Sequence, residues 1–141
     1  MSGNLLGADE HVLRIIRWDR VLQDQAADLG FRAVTAAFDA PNHENVSVYG
    51  VSLLAANQVA EESVLDGLMG DSLVELKVGD IIALDLGLTV VHAPDNEDEH
   101  PRGLAHCEIV GLPTANSARK RVRQALASLA RWHTLNPPDL L

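Results

Sequence analysis

Leu88-Thr89-Val90-Val91-His92 and Leu104-Ala105-His106-Cys107-Glu108-Ile109-Val110-Gly111-Leu112 are two runs rich in aliphatic and β-branched residues. Between them lies the polar stretch APDNEDEHPRG, residues 93–103. Runs of this kind favour strands. The pair reads as a hairpin whose connection exceeds the usual two to about five residues. Such excess length is either functional or merely flexible.

Working upstream, Ser72 to Val78 keeps a period of two and predicts a half-buried strand. Gly79-Asp80 opens a short helix over Ile81 to Leu86, closed by Gly87. Asn57 reads as the cap of a helix from Gln58 to about Leu68. Glu61 and Glu62 sit in its early turns, where the helix dipole favours them, and Gly67 and Gly70 end it. Val46 to Val51 is strand-like, as is the segment around 12–17, which a turn or short helix follows. Leu29-Gly30 is a turn, and Phe31 to Phe38 reads as extended or mixed, ending on the turn signal Asp39-Ala40-Pro41-Asn42.

Downstream, Thr114 or Asn116 caps the last helix. Its apolar stripe is Ala118, Val122, Ala125, Leu129 and Trp132, and Asn136-Pro137-Pro138 stops it. The order is roughly β, mixed, β, α, β, α, β, β, α. That predicts an α+β fold: a single domain over 1–141, with a mixed or antiparallel sheet and a C-terminal amphipathic helix. Residues 1–9 are expected to be a loose N-terminus and 134–141 a C-terminal tail.

The 141 residues amount to one domain, long enough to bury a core without disulfides or metal. A hydrophobic fraction of 47% excludes an intrinsically disordered chain. With aromatics at 4%, few rings are on hand to stack single-stranded bases. Cys107 is the sole cysteine, which excludes an internal disulfide and a cysteine-cluster zinc site. No basic leader or membrane-length apolar run is visible, so a soluble, cytoplasmic, bacterial-style protein is expected.

The net charge of −9 is unevenly spread. Residues 61–100 hold eleven carboxylates against Lys77 alone. Such a block repels phosphate backbones, so nucleic acid is not an expected partner. It reads either as a solvated surface or as a face that docks something basic. The last forty residues carry the basic run Arg119, Lys120, Arg121 and Arg123, which meets an anion, an acidic partner or the acidic middle itself.

Four groups of residues carry candidate chemistry. His92, Asp95, Asp98, Glu99, His100 and His106 are metal-ligand types, but their spacing fits no metal motif, so no metal is expected. In a strand, alternation puts His106 and Glu108 on one face and Cys107 on the other. That separation argues against a Cys–His nucleophile pair, while His106 suits general acid–base work near neutral pH. Ser47 and Tyr49 likewise share a face, although no base or orienting acid is identifiable beside them. No phosphate loop, dinucleotide fingerprint, G-x-S-x-G elbow or EF-hand loop occurs, and no cofactor is expected.

Arg17, Trp18 and Val21, then Ala37-Phe38, Ser47-Val48-Tyr49 and His106-Cys107-Glu108-Ile109-Val110-Gly111 form an ordered pattern. It resembles a family of small bacterial proteins of about this length, over roughly residues 12–132. The resemblance implies that Arg17, Phe38, Ser47, Tyr49, His106 and Ile109 carry the shared pattern. It implies company with conflict-related gene clusters and brings no activity with it. A basic residue in or near the short helix would belong to that pattern, and Ile81 to Leu86 has none.

Two functions compete on this sequence, and whether the protein is an enzyme stays open, leaning against. One is an accessory protein, immunity- or antitoxin-like, docking a basic protein partner through Asp95, Glu97, Asp98 and Glu99. The other is a small enzyme with a cleft near Ser47, Tyr49 and His106. An arginine on the first strand, Arg17, followed by a Ser/Tyr strand is similar to ADP-ribosyltransferase-like folds. That similarity implies nucleotide binding, with Glu108 as the late glutamate. A homodimer packed through the last helix, with Ala118 and Ala125 allowing close approach, is a third possibility.

Overall fold

In the computed structural model, which describes residues 4–39, 45–68 and 70–136, the two runs of the opening hairpin become β6 (Thr89–His92) and β7 (His106–Val110). They pair antiparallel, with Thr89 opposite Val110 and His92 opposite Cys107. The remaining strands are β1 (His11–Ile16), β2 (Val21–Gln23), β3 (Phe31–Ala33), β4 (Val46–Gly50), β5 (Ser72–Lys77) and β8 (Arg131–Thr134). Six of them form one antiparallel sheet in the order β6-β7-β4-β1-β5-β8, and β2 and β3 form a separate hairpin. With α1 (Val51–Ala56), α2 (Val78–Ala83) and α3 (Asn116–Leu129), the protein is a single α+β domain with a C-terminal helix. Among the described residues, no helix is long and apolar enough to cross a membrane.

Alternation along the strands splits the core in two. One face carries Val12, Ile16, Val48, Val74, Leu76, Val90, Cys107 and Ile109 under Phe38, Val122 and Leu126. The other carries Leu13 and Leu73, covered by Leu54, Val59, Val64 and Ala105. Toward β4 and β7 that second cover stops short. Ser47 and Glu108, directly opposite each other, are left half-buried.

Several sequence expectations need correction. Asn57 does not open a helix; it ends α1, which lies just before it. The Asn57 side-chain amide and backbone N–H both donate to the Leu53 carbonyl. Asparagine serves a helix C-terminus as readily as a turn, and Gln58 follows with a left-handed φ of 60°. Glu61–Leu65 is a 3-10 turn instead of the expected helix. α2 starts at Val78, three residues before Ile81. Its Gly79 lies so close to the N-terminal segment that a Cβ there would meet the Ala8 carbonyl oxygen at 2.9 Å.

The last helix stops at Leu129, and Trp132 belongs to β8. The indole still reaches the core, because strand and helix present it to the same sheet face, and its Nε1 donates to the Phe31 carbonyl. Periodicity registers burial, and burial was all that Trp132 shared with the helix. The helix stripe centres on Val122 and Leu126, one turn apart and both buried within the chain.

The expected loose N-terminus and C-terminal tail are partly built in. The Leu6 N–H donates to Val90, the Asn4 carbonyl accepts from His92, and Thr134 pairs with Leu73 in β8. Residues 1–3, 40–44 and 137–141, and with them much of the expected turn at Asp39-Ala40-Pro41-Asn42 and the Pro137-Pro138 stop, lie outside the described residues.

Candidate functional site

The strand register does what alternation alone could not. β4 and β7 place Tyr49 opposite His106 and Ser47 opposite Glu108. All four side chains therefore belong to one sheet face. Over that face folds the loop from Ala93 to Ala105. Between loop and sheet runs a groove of about 430 Å³ lined by Ser47, Ala93, Pro94, Asp95, Glu97, His106 and Glu108.

The loop holds its shape by contacts of its own. The Asp95 N–H donates to the Gly103 carbonyl at 2.8 Å. A Cβ on Gly103 would stand 2.5 Å from the Asp95 carbonyl oxygen, so this crossing admits only glycine. Arg102 is the anchor beneath. Its Nε donates to Asp98 at 2.9 Å, and its Nη1 donates to the carbonyls of Val64 and Asp66. His100 adds a contact to the Asp66 carboxylate at 2.9 Å.

His106 is oriented, not loose. Its Nδ1 lies 2.7 Å from the Ala93 carbonyl oxygen, which can only accept, so Nδ1 carries the proton and the neutral ring keeps its lone pair on Nε2. Tyr49 meets the ring edge-on, with centroids 5.6 Å apart. Burial pushes the Tyr49 phenol up from its ordinary pKa, so it stays protonated. Glu108 accepts from the Asn45 amide at 2.8 Å. Among the described residues no hydrogen bond joins Ser47 to His106, so the two do not form a nucleophile–base pair.

The sequence-derived candidates thus divide. Ser47, His106, Glu108, Asp95 and Glu97 meet in the groove, with Tyr49 behind His106. Arg17 does not join them; it is exposed beyond the end of β1 and paired with Asp19. Glu99 is exposed on the outer side of the loop, beside a hollow lined by His100 and Leu104. Asp98 is spent internally. Desolvation would raise its pKa, but the Arg102 guanidinium and the His100 N–H outweigh that and hold it below its usual range. Other acids of the middle block are also engaged: Glu61 with His133, Glu75 with His11, and Asp71 with the Trp18 N–H.

Among the described residues, no cluster of three or more histidine, cysteine or carboxylate side chains is arranged to hold a metal. Cys107 is buried on the other sheet face, where desolvation pushes its thiol up to about 11.

Arg14 stands outside the candidates that the sequence offers. Its guanidinium donates to the carbonyls of Ala37, Ser47 and Asp39, tying β1 to β4 and to the turn before it. The signal was present: Arg14 stands between Val12 and Ile16 on an otherwise apolar strand face.

Compared with protein-family models, curated proteins and solved structures, the chain finds no match in any of the three.

Proposed function

We propose that the protein is a non-enzymatic binding protein, immunity- or antitoxin-like, that docks a basic protein partner in the groove between β4–β7 and the 93–105 loop. One observation carries this reading. Asp95, Glu97 and Glu108 line a single concavity to which, among the described residues, no lysine or arginine contributes. Carboxylates gathered this way repel one another, and a guanidinium or ammonium brought among them relieves the repulsion. Arginine suits such a site best, since its planar fork gives two parallel bonds to a carboxylate. The lone pair on His106 Nε2 offers one further acceptor to an incoming N–H donor. Cys107 as the only thiol fits a reducing, cytoplasmic setting.

The groove favours docking over catalysis because its serine and histidine are not linked and its histidine is held by a backbone carbonyl. Calorimetric titration with a peptide rich in arginine and lysine tests the proposal. Binding should weaken with added salt, as for pairs in partial contact with solvent. The D95K/E97K variant should abolish it. Equal affinity in that variant, or none in the natural protein, contradicts the reading.

A further inference from the structure

On the other face of the sheet from the groove, at the end of β1, a small cleft of about 150 Å³ is lined by Arg14, Ile15, Arg17, Arg20, Ala36, Ala37 and Asp39. Three guanidinium-bearing residues converge there in a protein whose net charge is −9. Some arginines outside the cleft are matched by carboxylates, Arg32 by Asp24 and Arg102 by Asp98. Inside it the matching is incomplete. Arg14 donates to carbonyl oxygens only, and these satisfy its N–H groups without cancelling its charge. Asp39, the one carboxylate among the described lining residues, pairs with Arg123 at 3.1 Å. Arg17 shares Asp19 through one contact at 3.3 Å and stays well exposed. The Arg20 side chain has no hydrogen-bond or ion-pair partner among the described residues.

We propose that this cleft is a binding site for a phosphate-class oxyanion, either free phosphate or the phosphomonoester end of a small molecule. Arg17 and Arg20 supply the charged donors at its mouth, and Arg14 supplies fixed positive charge at its base. The size fits a single tetrahedral anion and leaves any attached group outside. Burial draws the Arg14 pKa down to about 10 although Tyr49 and Asp39 favour the charged form, so a bound anion would add to the counter-charge that Asp39 already supplies. Arginine forks match phosphate oxygens in geometry as well as charge.

The test is a thermal-unfolding titration with inorganic phosphate and, separately, glycerol 3-phosphate, at ionic strength held constant with sodium chloride. A ligand bound by the native state alone raises the unfolding midpoint, and the rise grows with the logarithm of one plus the ratio of ligand concentration to Kd. The R17Q/R20Q variant replaces the exposed Arg17 and the half-buried Arg20, neither of them in the core, and should keep the midpoint of the ligand-free protein. It should lose about tenfold or more in apparent affinity. A rise with both compounds assigns phosphomonoesters, and a rise with inorganic phosphate alone assigns the free ion. No rise with either, or equal rises in the natural protein and the variant, overturns the site. If R17Q/R20Q is itself unstable, R20Q alone with phosphorus-NMR line broadening gives the same decision: broadening that survives the substitution counts against the site.

Discussion

Arg102 and Asp98 meet at 2.9 Å across a single turn of the 93–105 loop, and both side chains are largely shielded from water. The same guanidinium reaches the Val64 and Asp66 carbonyls, so one residue joins the groove's loop to the turn that covers the sheet. Removing one partner strands the other in a desolvated place. Asp98→Asn should cost about 1–3 kcal/mol of stability, read by denaturant unfolding. The pair also sets a pH signature. Because Asp98 titrates lower when folded than when unfolded, the unfolded chain binds the extra proton, and stability falls as pH drops through the native value. The natural protein should lose stability more steeply on acidification than Asp98→Asn, with the two curves converging at the acid end.

Gly103 is the loop's tightest point. In Gly103→Ala the new methyl would have to displace the Asp95 backbone, which cannot swing aside as a flexible side chain does. We expect a loss of about 1–3 kcal/mol, together with weaker capture of basic peptides, since Asp95 moves with its backbone. Unfolding and peptide titration on one sample check both.

Cys107 should be inert in the folded protein. A thiol at about 11 holds a thiolate fraction near neutral pH roughly a hundredfold below that of an ordinary exposed cysteine. A thiol-reactive chromophore should label it only as fast as the protein opens, and labelling should become immediate in denaturant. Fast labelling under native conditions would contradict the burial described above.

Leu126 tests the corrected helix stripe. Leu126→Ala leaves a cavity beneath α3 and should cost about 2–5 kcal/mol, measured as a drop in unfolding free energy. Serine at the exposed position Gln124 should be nearly silent in the same assay.

Much of this architecture was legible locally. The 88–112 hairpin, the strand at 72–77 and the existence of the last helix follow from period, and alternation alone put Ser47 with Tyr49 and His106 with Glu108; the expected cap does not hold, because Ala115 precedes the helix and no side chain, neither Thr114 nor Asn116, caps it. What joined those two pairs is the β4–β7 register, a contact between segments about sixty residues apart that no local pattern encodes. Asp98 looked like one more surface acid because its partner Arg102 lay inside the same polar run, where charge counting merges them. Arg14 stands out on its apolar strand face, but its role does not, because its partners are backbone carbonyls, which leave no mark in a sequence. Asn57 was misassigned because its side chain serves either end of a helix, and only the placement of Val51 to Ala56 directly after β4 decides which.

On the proposed function, Asp95, Glu97 and Glu108 act together as a receptor for basic side chains. An amide chemical-shift map of the protein titrated with an arginine- and lysine-rich peptide reads this at the residues themselves. Saturable shifts centred on Ser47, Ala93 to Glu97 and His106 to Glu108, lost in the D95N/E97Q/E108Q variant, are the predicted result. Shifts scattered over the other acidic residues, or unchanged in that variant, would contradict it.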